Sequence, residues 1–289
     1  MSSTESEILN RRLLKLFPVK LLKEEFQVTA STQPELIDTL VYGNTDHTLR
    51  EFAFDKIDCT KQHVYIYTLN RAFDSGSFSA RDFPIEVLRS VRTSNGWVLH
   101  CLPKITHNVV LIEPFETRTI DFYQPIKITL DGNRLILQFT ILEKNLKAHF
   151  ERNRCVYSKR MLEESAIKDE ILNHFGRNYQ VDVCDMNRGV KYLWDNGLLD
   201  GKALKFKRAK STATVTMDEE ETYKEVYPEE YRETMKDPLH RTVLKYKVQD
   251  DELCDLFTID PSKGEISFNK YPLTANQIQN VISKILANN

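Results

Sequence analysis

Residues 158–176 read SKRMLEESAIKDEILNHFG, residues 178–197 read NYQVDVCDMNRGVKYLWDNG, and residues 198–217 read LLDGKALKFKRAKSTATVTM. In the first segment Met161, Leu162, Ile167, Ile171, Leu172 and Phe175 recur at helical spacing. Ser158 is placed to cap that helix and Gly176 to end it. The second segment carries Val183, Met186, Val190, Leu193 and Trp194, with Asp182 or Asp185 as cap and Gly197 as stop. In the third, Leu204 and Phe206 alternate with Lys205 and Lys207. Ala213, Val215 and Met217 then alternate with Thr212, Thr214 and Thr216, the period-2 pattern of two strands. The stretch therefore predicts helix, helix and hairpin, with Arg208, Ala209, Lys210 and Ser211 at the hairpin tip.

This order and these lengths resemble a winged-helix DNA-binding domain. The resemblance implies a second helix facing the major groove and a wing on the backbone or minor groove. Lys202, Lys205, Lys207, Arg208 and Lys210 place five cations within nine residues, with no anion between them. On a strand, Lys205 and Lys207 share one face while Leu204 and Phe206 share the other, so one face packs while the other meets phosphates. Arg188 and Lys191 in the preceding helix join the candidate nucleic-acid contacts, flanked by Tyr192. The competing reading is a solvated basic hairpin paired with the acidic DEEE run at 218–221. A second basic stretch, RNRCVYSKR at 152–160, reads as a linker between units.

Outward toward the N-terminus, four amphipathic helices are expected within residues 1–57, with Pro34 opening the third and Thr45 or Asn44 capping the fourth. Within them, VKLLKEEF (19–26) and PELIDTL (34–40) flank a polar link. That pair resembles the SAP-type helix-extended-helix element, which implies duplex DNA contacts through the link and second helix. The glycine and basic residue usual before the second helix are replaced by Thr32, Gln33 and Pro34; the alternative is a plain helical cap. From residue 58 to 150 the pattern turns to strands at 63–69, 97–105, 109–114, 117–123, 126–130 and 134–142. Asp131-Gly132 and Asn95-Gly96 mark turns. PIEVLRS (84–90) reads as a short helix and LEKNLKAHFERNR (142–154) as a longer one. Strands in series without intervening helices imply an antiparallel sheet or small barrel. Past the hairpin, PEEYRETMK is helical, and strands follow at 241–248, 256–260 and 265–270. A last helix is expected with Thr274 as its cap.

The expected fold is thus α+β in four parts. These are a helical cap (1–57), an antiparallel β-rich domain (58–150), a winged-helix-like domain (151–225) and an α+β C-terminal region (226–289). With 41% hydrophobic and 28% charged residues the chain is globular rather than disordered. A formal net charge of -2 gives no global attraction to nucleic acid, so any such affinity must come from local segregation of charge. Five cysteines at wide spacing, with no CxxC pair, point to free thiols in a reducing cytoplasm. No apolar run approaches the ~20 residues of a membrane span.

The case for catalysis is thin. Seven dispersed histidines form no metal-ligand spacing, and no nucleophile elbow or phosphate-binding glycine motif is present. Neighbouring His100 and Cys101 would point to opposite faces of a strand. No cofactor, metal or catalytic residue is assigned. The favoured function is non-catalytic DNA binding through the basic wing. The alternatives are an interaction subunit of a larger intracellular assembly and a metal-dependent nuclease using Asp260 and Glu265 with Lys263, near Glu252 and Asp255. Tyr65, Tyr67, Phe122 and Phe139 could also stack single-stranded bases, although core packing is the preferred role for them.

Overall fold

The computed structural model describes all residues except 1–3, 77, 113–114, 144–145, 147–154, 208–211, 218–220 and 246–252, and leaves aside the side chains of 155–158, 206–207, 212–213 and 245. The chain begins with four capped helices. Thr4 and Glu7 form a reciprocal capping box on α1 (Glu5–Leu14). Helix α2 (Val19–Phe26) follows Pro18 and stops where Gln27 turns left-handed at φ 51°. Thr32 caps α3 (Gln33–Gly43) and Thr45 caps α4 (Asp46–Asp55), each accepting a backbone N–H in the first turn. Their apolar faces, including Leu13, Leu22, Leu36, Leu40 and Leu49, close into one core.

Seven strands follow: β1 (Gln62–Leu69), β2 (Val87–Arg92), β3 (Gly96–Cys101), β4 (Lys104–Leu111), β5 (Glu116–Tyr123), β6 (Ile126–Asp131) and β7 (Arg134–Thr140). The pairs β3/β6 and β4/β5 share one register: Cys101 faces Ile126, and Lys104 faces Tyr123. They are therefore two long strands bent together at Pro103 and Pro125, where the missing N–H groups let the ladder leave one sheet and enter another. Buried Gln124 fills the bend, its Nε2 donating to the Thr140 carbonyl at 2.8 Å. Residues 84–90 are not helical as the local pattern suggests. Residues 87–92 form an edge strand on β3, where cross-strand pairing outweighs a weak local preference.

Ser158 does not cap a helix either. It lies in β8 (Cys155–Arg160), which pairs with β4, and the ladder extends to the Met161 N–H on the Thr106 carbonyl. Helix α5 (Glu164–Gly176) starts only after that ladder ends. The remaining elements are β9 (Val181–Val183), α6 (Asn187–Asp195), β10 (Asp200–Lys207), β11 (Thr212–Thr216), α7 (Tyr223–Val226), α8 (Pro228–Thr234), β12 (Leu239–Lys245), β13 (Leu256–Asp260), β14 (Glu265–Phe268) and α9 (Gln277–Ala287). Thr274 makes no cap for α9, whose N-terminal position is Asn276. Most of the helix expected at 142–154 lies outside the described residues.

The fold is α+β with antiparallel sheets. One sheet runs β11-β10-β12-β13-β14-β1-β7-β6-β3-β2, with β9 beside the end of β1; the other is β5-β4-β8. Strands from all three segments after residue 57 share the larger sheet. Alternation along β1 explains how it serves two cores: Val64 and Ile66 face one, Tyr67 and Leu69 the other. Strand β7 splits likewise, Ile136 facing the second core and Leu135, Leu137 and Phe139 the first. The first core lies among α1–α5 and the bent strands. The second lies between the β10-to-β14 half and helices α6 and α9. Consequently Ile167, Ile171 and Phe175 of α5 and Val190, Leu193 and Trp194 of α6 sink into different cores. The helix-helix-hairpin order is present, but β9 between the helices pairs with β1, and β10 is flanked by β12 as well as β11.

Helices α6 and α9 meet where Gly189 lacks a side chain: a Cβ there would stand 2.1 Å from the Ile285 carbonyl oxygen. Gly189→Ala must push the helices apart and is expected to lower stability by about 2 kcal/mol, read as a lower urea midpoint. Gly176→Ala, with nothing within 4 Å of its new Cβ, should stay within about 0.5 kcal/mol of the parent.

Candidate nucleic-acid interface

Helix α6 is pinned by its first turn to one end of the large sheet. The Asp185 carboxylate accepts from the Asn187 N–H at 2.9 Å, as an acidic group at a helix start should. The Met186 N–H donates to the Pro261 carbonyl at 2.9 Å. Asn187 Oδ1 accepts from the Leu239 N–H at 2.7 Å, and the Asn289 side chain accepts from the Gly189 N–H at 3.1 Å. Leu239 opens β12 and lies opposite Phe206; His240 lies opposite Lys205. The start of α6, the start of β12 and the end of β10 thus meet at one edge, and the basic run at 207–210 leaves β10 there.

The candidate cations divide into three groups. Arg188 and Lys205 are exposed and have no hydrogen-bond or ion-pair partner among the described residues. Lys202 is half-buried, with its carbonyl accepting from Met217 N–H at 2.9 Å. Lys191 turns inward: its Nζ donates to the Met235 carbonyl at 2.7 Å, and burial pushes its pKa down, opposed by Asp237 and Asp185. That bond ties α6 to the end of α8 and removes Lys191 from the outer surface. The Lys207 side chain, Arg208 and Lys210 lie outside the described residues, as do residues 218–220 of the acidic run. Tyr192 is exposed on α6. In the second basic stretch, Arg160 is directed into the fold, onto the Leu162 carbonyl and the Gln124 side chain.

Around Asp260, sequence reasoning singled out Lys263 and Glu265 but missed His240 and Arg241. The Asp260 carboxylate is 5% exposed and takes His240 Nδ1 at 3.2 Å and Lys263 Nζ at 3.3 Å. Beside it, Arg241 and Thr242 of β12 oppose Leu204 alone, a bulge in which Arg241 has φ 41°. With His63, Thr258, Lys263, Glu265, Ser267 and Asn269, Arg241 and Asp260 line an open groove of about 380 Å³. At its far side Glu164 of α5 accepts the Tyr65 hydroxyl at 2.9 Å and lies 3.0 Å from His63 Nδ1. In sequence, Asp260–Gly264 reads as a turn and Arg241 as the first residue of a strand. Nothing local announces that β12 carries an extra residue.

Other expectations meet the geometry as follows. No group of three or more His, Cys, Asp or Glu side chains suited to a metal ion occurs among the described residues. Asp260 and Glu265 do face each other across β13 and β14, but Asp260 is already engaged; Glu252 lies outside the described residues. Tyr67, Phe122 and Phe139 are core residues. Burial and the Glu164 carboxylate hold the Tyr65 phenol far above its ordinary pKa. As neighbours in β3, His100 and Cys101 point to opposite sides of the strand, and the described cysteines 59, 101, 184 and 254 are buried and form no disulfide. No helix among the described residues is long and apolar enough to cross a membrane. Comparison with protein-family models, curated proteins and solved structures yields no match to this chain.

Proposed function

We propose that the protein binds duplex DNA without catalysis, using the sheet end where α6 and the β10–β11 hairpin meet as a winged-helix-like contact surface. One observation carries the reading. The Asn187–Leu239 bond and the Lys205–His240 pairing bring Arg188 and Lys205, two cations without partners among the described residues, to the end from which the basic run departs. Lysine and arginine heads without internal partners are free to replace counterions on phosphates, and that exchange supplies most sequence-independent affinity. Lys191 acts in this reading by holding α6 in place.

The test is binding of a short labelled duplex to the purified protein, followed from about 50 to 200 mM salt. Replacing Lys205, Lys207 and Arg208 with alanine is expected to weaken binding and make the slope of log K against log salt shallower by about 3. A triple variant that binds as the parent does removes the wing from the interface. The alternative, an interaction subunit, draws on Leu88 and Val91, exposed at 41% and 47% on edge strand β2. Absence of duplex binding across the salt range favours that alternative.

A further inference from the structure

We infer that the groove beside Asp260 is a phosphate-binding site, in which Arg241 and Lys263 hold a backbone phosphate of the bound nucleic acid; this rests on the DNA-binding reading and extends its footprint from the sheet end onto the sheet face. In this half of the sheet, alternation sends Leu244, Phe257, Ile259, Ile266 and Phe268 into the second core. The residues between them, Thr258, Asp260, Glu265 and Ser267, face the other way and line the groove.

Three features make this more than the wetted side of an antiparallel sheet. The first is Arg241. At φ 41° it occupies the left-handed region that a bulge of this kind ordinarily gives to glycine. An arginine kept there against that steric preference marks the position as one to be explained by its side chain. The second is that Arg241 lines the groove and its guanidinium has no partner among the described residues. A planar fork of five donors without an acceptor matches the oxygens of a phosphate. The third is the Asp260 carboxylate, buried at the rim. It receives both His240 and Lys263 and so fixes the latter's direction; Lys263 Nζ keeps further donors and its side chain is 63% exposed. Asp260 is therefore a positioning residue, while Arg241 and Lys263 are the ligands. Lys205, opposite His240, adds a further cation on the same side of the sheet. Asp260 and Glu265 are opposing charges in the lining, and Glu164 lies at its far side, so the site suits a single phosphate held by directed hydrogen bonds rather than a diffuse anionic cloud.

The experiment uses the full chain with two probes, the short labelled duplex and inorganic pyrophosphate. The variant is Arg241→Asn with Lys263→Gln. Asparagine tolerates the left-handed backbone, and an unchanged melting temperature confirms that the bulge is kept. The expected result is a tenfold or greater loss of duplex affinity, a salt slope shallower by about 2, and loss of the pyrophosphate binding heat seen with the parent. If this variant binds duplex and pyrophosphate as the parent does while the Lys205, Lys207 and Arg208 triple variant loses duplex, the groove is not a phosphate site and the DNA-binding reading stands. If the parent binds no duplex but binds pyrophosphate in a manner abolished by the double variant, the DNA-binding reading falls and the phosphate site stands. If the parent binds neither probe, both are overturned.

Discussion

Trp194→Ala is expected to cost about 3–5 kcal/mol of stability, enough to shift the denaturant midpoint strongly without abolishing the fold of a domain of ordinary stability. Trp194 is 2% exposed and is among the largest fully enclosed side chains. Its ring meets Tyr231 edge-on, with centroids 5.1 Å apart at 88°, and Tyr223 at 6.0 Å. The substitution removes that aromatic packing and leaves a cavity between α6 and the α7–α8 segment. Asp195, next in sequence, anchors the same segment by accepting the Tyr231 hydroxyl at 3.2 Å and the Lys224 ammonium at 3.1 Å. Loss of the ring therefore loosens α6 together with α7 and α8.

The chain has two tryptophans, and the other, Trp97, packs against the first core. In the Trp194→Ala protein, emission reports only that core. Strands β1 and β7 give alternate side chains to both cores, so neither core can dissolve without exposing the backbone ladder of the other. Trp97 emission is expected to change in one transition, at the same lowered denaturant concentration as the far-ultraviolet circular dichroism. A separate Trp97 transition at the parent's midpoint would show that the halves unfold independently.

The second large effect is acid sensitivity centred on His100. The imidazole is 4% exposed on β3, packed against the Phe54 ring at 5.3 Å, with an Nδ1 that has no hydrogen-bond partner among the described residues. Burial first, then Arg89 and Lys127, hold its pKa down at about 4, with Asp58 and Asp55 opposing. The unfolded chain binds this proton near the usual pH of about 6.5, whereas the folded chain refuses it until about pH 4. Stability attributable to His100 is thus fully present above about pH 6.5, falls as pH drops toward 4 and levels off below. Between pH 7 and 4.5 the loss amounts to roughly 2–3 kcal/mol. His107 and His174 are lowered in the same direction by burial and add to the slope. His100→Phe keeps an aromatic ring against Phe54 and removes the titration. Its denaturation midpoint is expected to fall less between pH 7 and 4.5 than the parent's; an unchanged slope would assign the effect to the other groups.

Much of the secondary structure is legible in the residues, because caps and periodicity are local. Thr4, Thr32 and Thr45 begin helices by accepting backbone N–H groups within the next turn. Asp131-Gly132 makes the β6–β7 turn because Gly132 takes φ 58°. The local pattern fails where a remote partner decides. Residues 87–92 pair with β3, and 155–160 pair with β4, so segments that read locally as helix or linker are strands. The candidate site divides the same way. Its basic hairpin is visible as alternating lysines, but the inward turn of Lys191 depends on a carbonyl 44 residues away.

By itself, then, the sequence determined most of the elements and the cation-rich hairpin, since both follow from side chains a few residues apart. The stretch 158–217 holds a helix, a second helix and a hairpin, as its spacing implies. Only the tertiary structure decided that these pieces do not share one core. Strand alternation in β1 and β7 creates two cores on opposite faces of one sheet, and α5 and α6 fall on different sides of it. The same sheet sets His240, Arg241 and Lys263 around the buried Asp260, by cross-strand pairing and a single extra residue in β12. Long-range register has no local signature, which is why that corner appears only when the strands are laid side by side.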